Sequence, residues 1–116
     1  MLKTADDLIR AAQQQIECVD VASARKIYEE NPGAVIIDVR EADSAAKSKL
    51  TDSVNISRGL LEMMVQKNCP DADTVILTHC GGGGRASLAA QTLGQLGYRN
   101  VYAITAHYDD IKTAVG

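Results

Sequence analysis

A cysteine followed by four glycines and an arginine is the part of the sequence with the clearest chemistry. Residues 78–88 read THCGGGGRASL, in which Cys80 and Arg85 enclose Gly81, Gly82, Gly83 and Gly84. Glycines have no Cβ, so a run of them lets several backbone N–H groups converge on one centre. A helix that follows such a run adds unpaired N–H groups and the positive end of its dipole. The pattern therefore predicts an anion-binding loop with a thiol at its base.

Cys80 is the candidate nucleophile of this loop. The surrounding N–H groups, the helix terminus and Arg85 favour the thiolate over the thiol, and the thiolate is the form that attacks. The residues alone leave the anion open: a persulfide, thiosulfate or a phosphate would each fit. A cysteine buried only for packing, beside a flexible turn, is the alternative interpretation. The segment lacks the Gly-Lys-Ser/Thr end of a P-loop and the G-x-G-x-x-G pattern of dinucleotide sites.

The elements that must position the loop alternate along the chain. Runs rich in β-branched residues predict buried strands at 34–39 and 74–78, and weaker patterns predict strands at 16–21, 53–57 and 101–105. Helices fit between them, at about 4–15, 20–30, 41–47, 59–66, 85–96 and 106–114. The length fits one domain, 1–116, with residues 1–15 as a lead-in helix. The alternation predicts an α/β fold with a mostly parallel sheet, whose ligands bind at the carboxyl ends of strands.

The composition excludes several function classes. The net charge is −3, the chain contains no Trp and no Phe, and its four Tyr do not interleave with a basic stretch, so nucleic-acid binding is not expected. No apolar run matches a secretion signal or a membrane span, and we expect a cytoplasmic protein without membrane partners. The three cysteines are an odd, sparse set, which indicates reduced thiols. Because the Cys and His residues lack ligand spacing, neither a metal nor a cofactor is expected.

Five stretches of the sequence resemble the rhodanese-like domain family, in the family's order. Residues 35–41 (VIIDVRE) resemble its IDVRE signature, and residues 53–56 (SVNI) resemble its GAxNIP segment. Residues 58–62 (RGLLE) are similar to its RGxLE, and residues 97–102 (GYRNVY) to its GYxNVY. Residues 80–85 resemble the active-site loop of a cysteine, four residues and an arginine. Together these matches are far more specific than any one of them.

The resemblance implies a five-stranded, mostly parallel sheet with helices on both faces. It also implies a sulfurtransferase, which takes sulfane sulfur from a small anionic donor such as thiosulfate. The sulfur would be carried as a persulfide on Cys80 and passed to cyanide or to a thiol acceptor, for instance a thioredoxin-like or relay protein. Arg85 would act with Cys80, while Asp38 and Arg40 would be mainly structural. The donor would be bound by Arg58 and by the loop glycines, Gly81, Gly82, Gly83 and Gly84.

Two other functions stay open at this stage. Phosphatases and arsenate reductases share the fold, but the phosphatase loop spans seven residues from Cys to Arg, whereas residues 80–85 are six. The second alternative is a binding or sulfur-relay module dedicated to one partner. It is suggested by departures from the family's pattern: residues 48–50 replace Gly-His-Ile, Asp52 replaces a Gly, and residues 106–108 replace Gly-Gly-aromatic.

The remaining cysteines and histidines receive structural interpretations. Cys18 lies in an alternating strand and is expected to pack inward, and Cys69 is expected to be an ordinary loop cysteine. His79 precedes the nucleophile, but neighbours in a strand point to opposite faces, so a role as a base is not favoured. His107 could reach the pocket mouth from the end of the last strand, but we expect it to be exposed to solvent or structural.

Overall fold

One parallel sheet organises the computed structural model, which describes residues 1–116. Its strands are β1 (Glu17–Val19), β2 (Val35–Asp38), β3 (Ser53–Asn55), β4 (Val75–His79) and β5 (Asn100–Ile104). They are ordered β1-β5-β4-β2-β3, and every neighbouring pair is parallel. The predicted five-stranded parallel α/β fold is therefore confirmed. In this order β4, which leads into Cys80, is the central strand.

The helices fall where the sequence patterns place them. They are α1 (Ala5–Gln13), α2 (Val21–Glu30), α3 (Ala42–Lys47), α4 (Leu61–Asn68), α5 (Gly84–Leu96) and α6 (Tyr108–Val115). A short 3-10 helix, Arg58–Leu60, precedes α4, so the segment predicted as one helix from residue 59 is divided. Asp20 caps α2 by accepting from the N–H of Ser23 at 2.8 Å. None of the helices has the length and apolar character needed to cross a membrane.

Apolar side chains of the central strands are buried on both faces of the sheet. On one face Ile37 and Ile76 join a core cluster with residues of α4 and α5. On the other face Ile36 and Leu77 join a second cluster with residues of α2 and α6. All four are at most 1% exposed, which contributes about 1.5–3 kcal/mol of transfer free energy for each such side chain. Two-sided burial explains why these strands read as continuous apolar runs rather than as alternating ones.

The carboxyl end of β2 is held by a buried ion pair. Nε and Nη2 of Arg40 donate to the carboxylate of Asp38, with the shortest distance 2.8 Å, and Nη2 also donates to the carbonyl of Ser48 at 2.7 Å. The side-chain amide of Asn55 bridges the carbonyls of Asp38 and Arg40, each at 3.0 Å. These bonds confirm that Asp38 and Arg40 tie the strand to neighbouring loops.

Two of the segments that depart from the family's pattern contact each other. The hydroxyls of Ser48 and Tyr108 lie 2.8 Å apart, which joins the end of α3 to the start of α6. The guanidinium of Arg40 stacks over the Tyr108 ring at 4.0 Å from its centre. The two segments are therefore joined by direct contacts.

Candidate active site

The loop of residues 80–85, here the active loop, is fixed between β4 and α5. The hydroxyl of Thr78 donates to the carbonyl of Ala86 at 2.9 Å and ties the strand to the first turn of the helix. Gly83 has φ +99°, and a Cβ placed there would lie 2.9 Å from Cα of Thr105. Both the left-handed backbone and the close approach require glycine at this position.

The sulfur of Cys80 lies under the start of α5, where backbone N–H groups point at it. Gly83 and Ala86 donate to Sγ at 3.1 Å and 3.3 Å, and the residue is only 2% exposed. Hydrogen bonds from N–H groups stabilise a sulfur that carries negative charge. The sulfur is thus set up to be, or to leave as, an anion.

Four more N–H groups of the active loop have no acceptor within the protein. They belong to Gly81, Gly82, Gly84 and Arg85. Backbone N–H groups are strong donors that native structures rarely leave unpaired, unless water or a ligand takes them. Successive free donors in a glycine loop at a helix N-terminus are a characteristic anion-binding arrangement. The geometry can therefore hold a small anion next to the sulfur.

Two basic side chains lie beside the outer part of the loop. Nη2 of Arg85 lies 3.9 Å from the position that a Cβ on Gly81 would take, and Nδ1 of His107 lies 3.9 Å from the equivalent position on Gly82. Both residues are exposed, as predicted for His107, and neither side chain has a hydrogen-bond or ion-pair partner in the chain. The N–H of Tyr108 donates to the carbonyl of Gly81 at 3.1 Å and holds this segment against the loop.

The pocket mouth was the less favoured of the two positions that the sequence allowed for His107. This histidine follows the carboxyl end of β5, which pairs directly with β4. In parallel sheets, loops at the carboxyl ends of adjacent strands meet at the ligand site. The sequence alone could place His107 at the carboxyl end of the sheet, but it could not predict the contact with Gly82.

Arg58, the predicted second cation for the donor, is bonded away from the active loop. Its guanidinium donates to the carboxylate of Glu62 at 3.0 Å and to the hydroxyl of Thr92 at 2.8 Å. Thr92 lies about two turns along α5 from the loop. In the structure Arg58 thus braces α4 against α5, and a role in donor binding stays a prediction.

His79 faces the side of the sheet opposite to Cys80, as predicted. Its ring stacks on that of Tyr108, with centres 5.8 Å apart, and lies 4.0 Å from the carboxylate of Asp38. It is fully buried, and neither ring nitrogen has a hydrogen-bond partner. Burial lowers the pKa of His79 despite the opposing charge of Asp38, so the imidazole is neutral. A direct role as a base for Cys80 has no support in this geometry.

Asp38 keeps its charge within the same cluster. Burial acts to raise the pKa of its carboxyl, but the hydrogen bonds from the side chain and backbone of Arg40, with the charge of that guanidinium, outweigh it. The net effect is a pKa below the usual range for aspartate. The buried pair is therefore ionised.

The other two cysteines lie outside the active loop, and one prediction about them is wrong. Cys18 is exposed rather than packed inward, because β1 is a three-residue edge strand and its outer face is not covered. Cys69 follows α4 and is buried, with the Tyr98 hydroxyl donating to its carbonyl. Burial raises the pKa of Cys69, which disfavours its thiolate. All three cysteines are free thiols.

The larger surface clefts lie away from the cysteine. Three clefts of about 310–340 Å³ are lined by residues outside the active loop. One of them lies between the segments that precede β4 and β5, where Pro70 and Tyr98 meet, at the opposite end of the sheet. None of the three clefts therefore contains the active loop.

The fold and the active loop together define a class: α/β domains that hold a cysteine sulfur in a cradle of backbone N–H groups. A family model described as the rhodanese-like domain matches residues 20–114. The chain belongs to the rhodanese-like domain family. The match includes the active loop and every strand except β1, and it leaves α1 outside.

Solved structures of other proteins have the same fold. The homodimeric polysulfide-sulfur transferase of Wolinella succinogenes is 27% identical, with a TM-score of 0.74 over 90% of this chain and 78% of that one. A Rhodopseudomonas palustris protein described as a possible tyrosine phosphatase is 24% identical, with a TM-score of 0.83 over 100% of this chain and 94% of that one. A human single-domain sulfurtransferase is 22% identical, with a TM-score of 0.69 over 80% of this chain and 92% of that one. The last two comparisons concern the fold alone.

Proposed function

We propose that the protein is a sulfurtransferase that carries sulfane sulfur as a persulfide on Cys80. The observation that carries the proposal is the surroundings of the sulfur: two N–H groups donate to it, and four more in the same loop have no acceptor. Family membership and the similarity to a polysulfide-sulfur transferase support the same reaction. The six-residue spacing from Cys80 to Arg85 favours sulfur over phosphate.

In the first half-reaction the thiolate of Cys80 attacks the outer sulfur of thiosulfate. A new sulfur–sulfur bond forms, the original one breaks, and sulfite leaves with the bonding electron pair. The product is a persulfide whose terminal sulfur carries the negative charge. The unpaired N–H groups of the active loop would stabilise that charge, since preorganised donors act where charge develops.

In the second half-reaction an acceptor attacks the terminal sulfur of the persulfide. With cyanide as the acceptor the product is thiocyanate, and with a thiolate as the acceptor the product is a new persulfide. The bond to Sγ breaks, and Cys80 departs as a thiolate held by the N–H groups of Gly83 and Ala86. The same two donors therefore serve the nucleophile and the leaving group.

Arg85 is proposed as the cation that holds the donor's sulfonate end. It is exposed, unpaired and next to Gly81 at the outer part of the loop. Its guanidinium offers a planar set of donors that matches an oxyanion. The loop glycines are proposed as the remaining donor ligands through their backbone. For Arg58 to join them, its guanidinium would have to leave Glu62 and Thr92.

The experiment that tests this function is a thiosulfate-to-cyanide transfer assay on Cys80→Ser. Thiocyanate formation should be lost in this variant and kept in Cys18→Ser, the matched control with an exposed thiol. Activity that survives in Cys80→Ser would refute the proposal. Hydrolysis of an aryl phosphate that requires Cys80, without sulfur transfer, would assign a phosphatase instead. A protein that accepts sulfur but passes it to neither cyanide nor small thiols would be a relay module for one partner.

A further inference from the structure

The N-terminal helix α1 packs on the helix that begins at the active loop. It lies before the family match at 20–114, and no motif of the family covers it. A capping box between Thr4 and Asp7 starts the helix, and Ala12 is fully buried beneath it against α5. The side chains on this face reach the first turn of α5, where the loop ends.

A chain of hydrogen bonds runs from α1 to the sulfur. Nε2 of Gln13 donates to the hydroxyl of Ser87 at 3.1 Å, and that hydroxyl donates to the carbonyl of Gly83 at 2.7 Å. The backbone N–H of Ser87 donates to the same carbonyl at 3.0 Å. Gly83 in turn donates its own N–H to Cys80 Sγ at 3.1 Å. Ser87 is fully buried, so water does not compete for its hydroxyl.

These bonds fix the peptide group that joins Gly83 to Gly84. A trans peptide is planar, with its C=O and N–H pointing in opposite directions. Anchoring the Gly83 carbonyl on Ser87 therefore sets the direction of the Gly84 N–H, one of the loop donors without an acceptor. Without this anchor Gly83, at φ +99°, has the backbone freedom to turn that donor away.

A second side chain of α1 contacts the same peptide. Cδ1 of Ile9 lies 2.9 Å from the position that a Cβ on Gly84 would take, so the isoleucine rests directly on this glycine. Gly84 is thus covered by Ile9 on one side while Gly83 is held through Ser87.

We infer that the face of α1 that carries Ile9 and Gln13 supports the active site, and that Gln13 is a positioning residue that acts through Ser87 to hold the carbonyl of Gly83 and so orient the N–H group of Gly84. Ile9 assists by packing on Gly84. This inference rests on the proposed role of Cys80 as the nucleophile. It assigns a function to residues that neither the family match nor the sequence motifs include.

The test compares two pairs of alanine variants in the full chain. Gln13→Ala removes the bond to Ser87, and Ile9→Ala removes a direct contact with Gly84 of the active loop. Gln15→Ala is the matched control, since Gln15 also bonds to α5, at Gln91, but away from the loop. Leu8→Ala is the control for Ile9, because Leu8 is on the same helix and 53% exposed.

Two rates are measured well below the melting temperature of each variant. One is alkylation of Cys80 by iodoacetamide, followed by peptide mass, and the other is persulfide formation at saturating thiosulfate. We expect both to fall about three- to tenfold in Gln13→Ala, the loss that one hydrogen bond gives, and to stay near wild type in Gln15→Ala. A role in packing alone would lower the melting temperature of both glutamine variants and leave both rates unchanged.

Equal rates in Gln13→Ala and Gln15→Ala, together with equal rates in Ile9→Ala and Leu8→Ala, would overturn the inference. The alkylation rate separates this failure from that of the proposed function. If no variant takes up sulfur but Gln13→Ala still slows alkylation, α1 positions the loop for some other reaction of Cys80. If sulfur is taken up equally by all four variants, the sulfurtransferase stands and α1 is only a packing element.

Discussion

The backbone N–H of Gly83 lies 3.1 Å from Sγ of Cys80, and Gly83 makes this bond from a left-handed conformation at φ +99°. No other residue of the active loop has positive φ. The nucleophile and the position that most strictly requires glycine are therefore directly bonded. Because Thr105 of the next strand's end packs on Gly83, the bond also depends on how β5 is seated beside the loop.

Replacing Gly83 with alanine should damage both stability and activity. A left-handed backbone costs an L-residue roughly 1–2 kcal/mol, and the new Cβ would meet Cα of Thr105 at 2.9 Å. We expect a lower melting temperature and a loss of sulfur transfer of at least about tenfold, as for the loss of a positioned donor. Gly82→Ala is the control for stability, since its Cβ would meet only His107 at 3.9 Å. Unchanged melting and turnover in Gly83→Ala would contradict this account of the loop.

Arg85→Ala should weaken the binding of thiosulfate more than it slows the chemical step. A hydrogen bond to a charged group is worth about 1.5–3 kcal/mol, so the KM for thiosulfate should rise about 10- to 100-fold. Steady-state kinetics with cyanide as the acceptor measures this. Arg99→Ala removes an exposed arginine that is paired with Asp73 far from the loop, and it should leave KM unchanged. If Arg85→Ala also leaves KM unchanged, Arg85 does not bind the donor.

Arg58→Ala distinguishes bracing from donor binding. Because its guanidinium joins Glu62 to Thr92, we expect the variant to have a lower melting temperature, as for the loss of a partly exposed ion pair. Its KM for thiosulfate should stay within about twofold of wild type, because these bonds point away from the active loop. Glu62→Gln removes the same ion pair but leaves Arg58 and its bond to Thr92 in place. It should therefore lower the melting temperature less than Arg58→Ala does. A rise in KM as large as that of Arg85→Ala would restore Arg58 as a donor ligand.

Stability should fall on mild acidification because of His79. Burial lowers its pKa in the folded protein, so the unfolded chain binds the proton first as the pH falls. Its contribution is complete above about pH 6.5, the ordinary histidine value, and is lost as the pH decreases below that. Urea unfolding between about pH 8 and pH 5, the range that spans this titration, measures how the free energy of unfolding changes with pH.

The matched variants for this slope are His79→Leu and His107→Gln. The leucine cannot be protonated, so the fall in stability between neutral and mildly acidic pH should flatten. His107 is exposed, and its glutamine variant should keep the fall. The Asp38 carboxyl has a lowered pKa and contributes in a separate window, with stability lost only below about pH 4. An unchanged slope in His79→Leu would refute the assignment.

The fold was largely predictable because local signals and burial agree. The runs at β2 and β4 are covered on both faces, which leaves a strong apolar pattern, and Asp20 and Gly97 mark helix ends through cap chemistry. Cys18 was misplaced because alternation in a strand does not reveal an edge whose outer face is bare. The residue pattern of one strand does not show whether other elements of the fold cover each of its faces.

The part of the site that is built from residues adjacent in the sequence was predictable. The order of Cys80, glycines and Arg85 is local, so the sequence alone predicts the cradle. The partners of Arg58 depend on how α4 is rotated against α5, and the contact of His107 with Gly82 depends on the pairing of β5 with β4. The bond between Gln13 and Ser87 joins residues 74 positions apart. Such contacts are set by packing and leave no mark at short spacing.

The intact mass of the reduced protein after incubation with thiosulfate shows directly whether Cys80 carries sulfur. We expect a gain of about one sulfur atom, roughly 32 Da, that is absent in Cys80→Ser and reversed by cyanide with release of thiocyanate. Peptide mapping should place the added sulfur on Cys80 and not on the exposed Cys18. No gain in mass, with Cys80 shown to be reduced and open to alkylation, would contradict the persulfide mechanism.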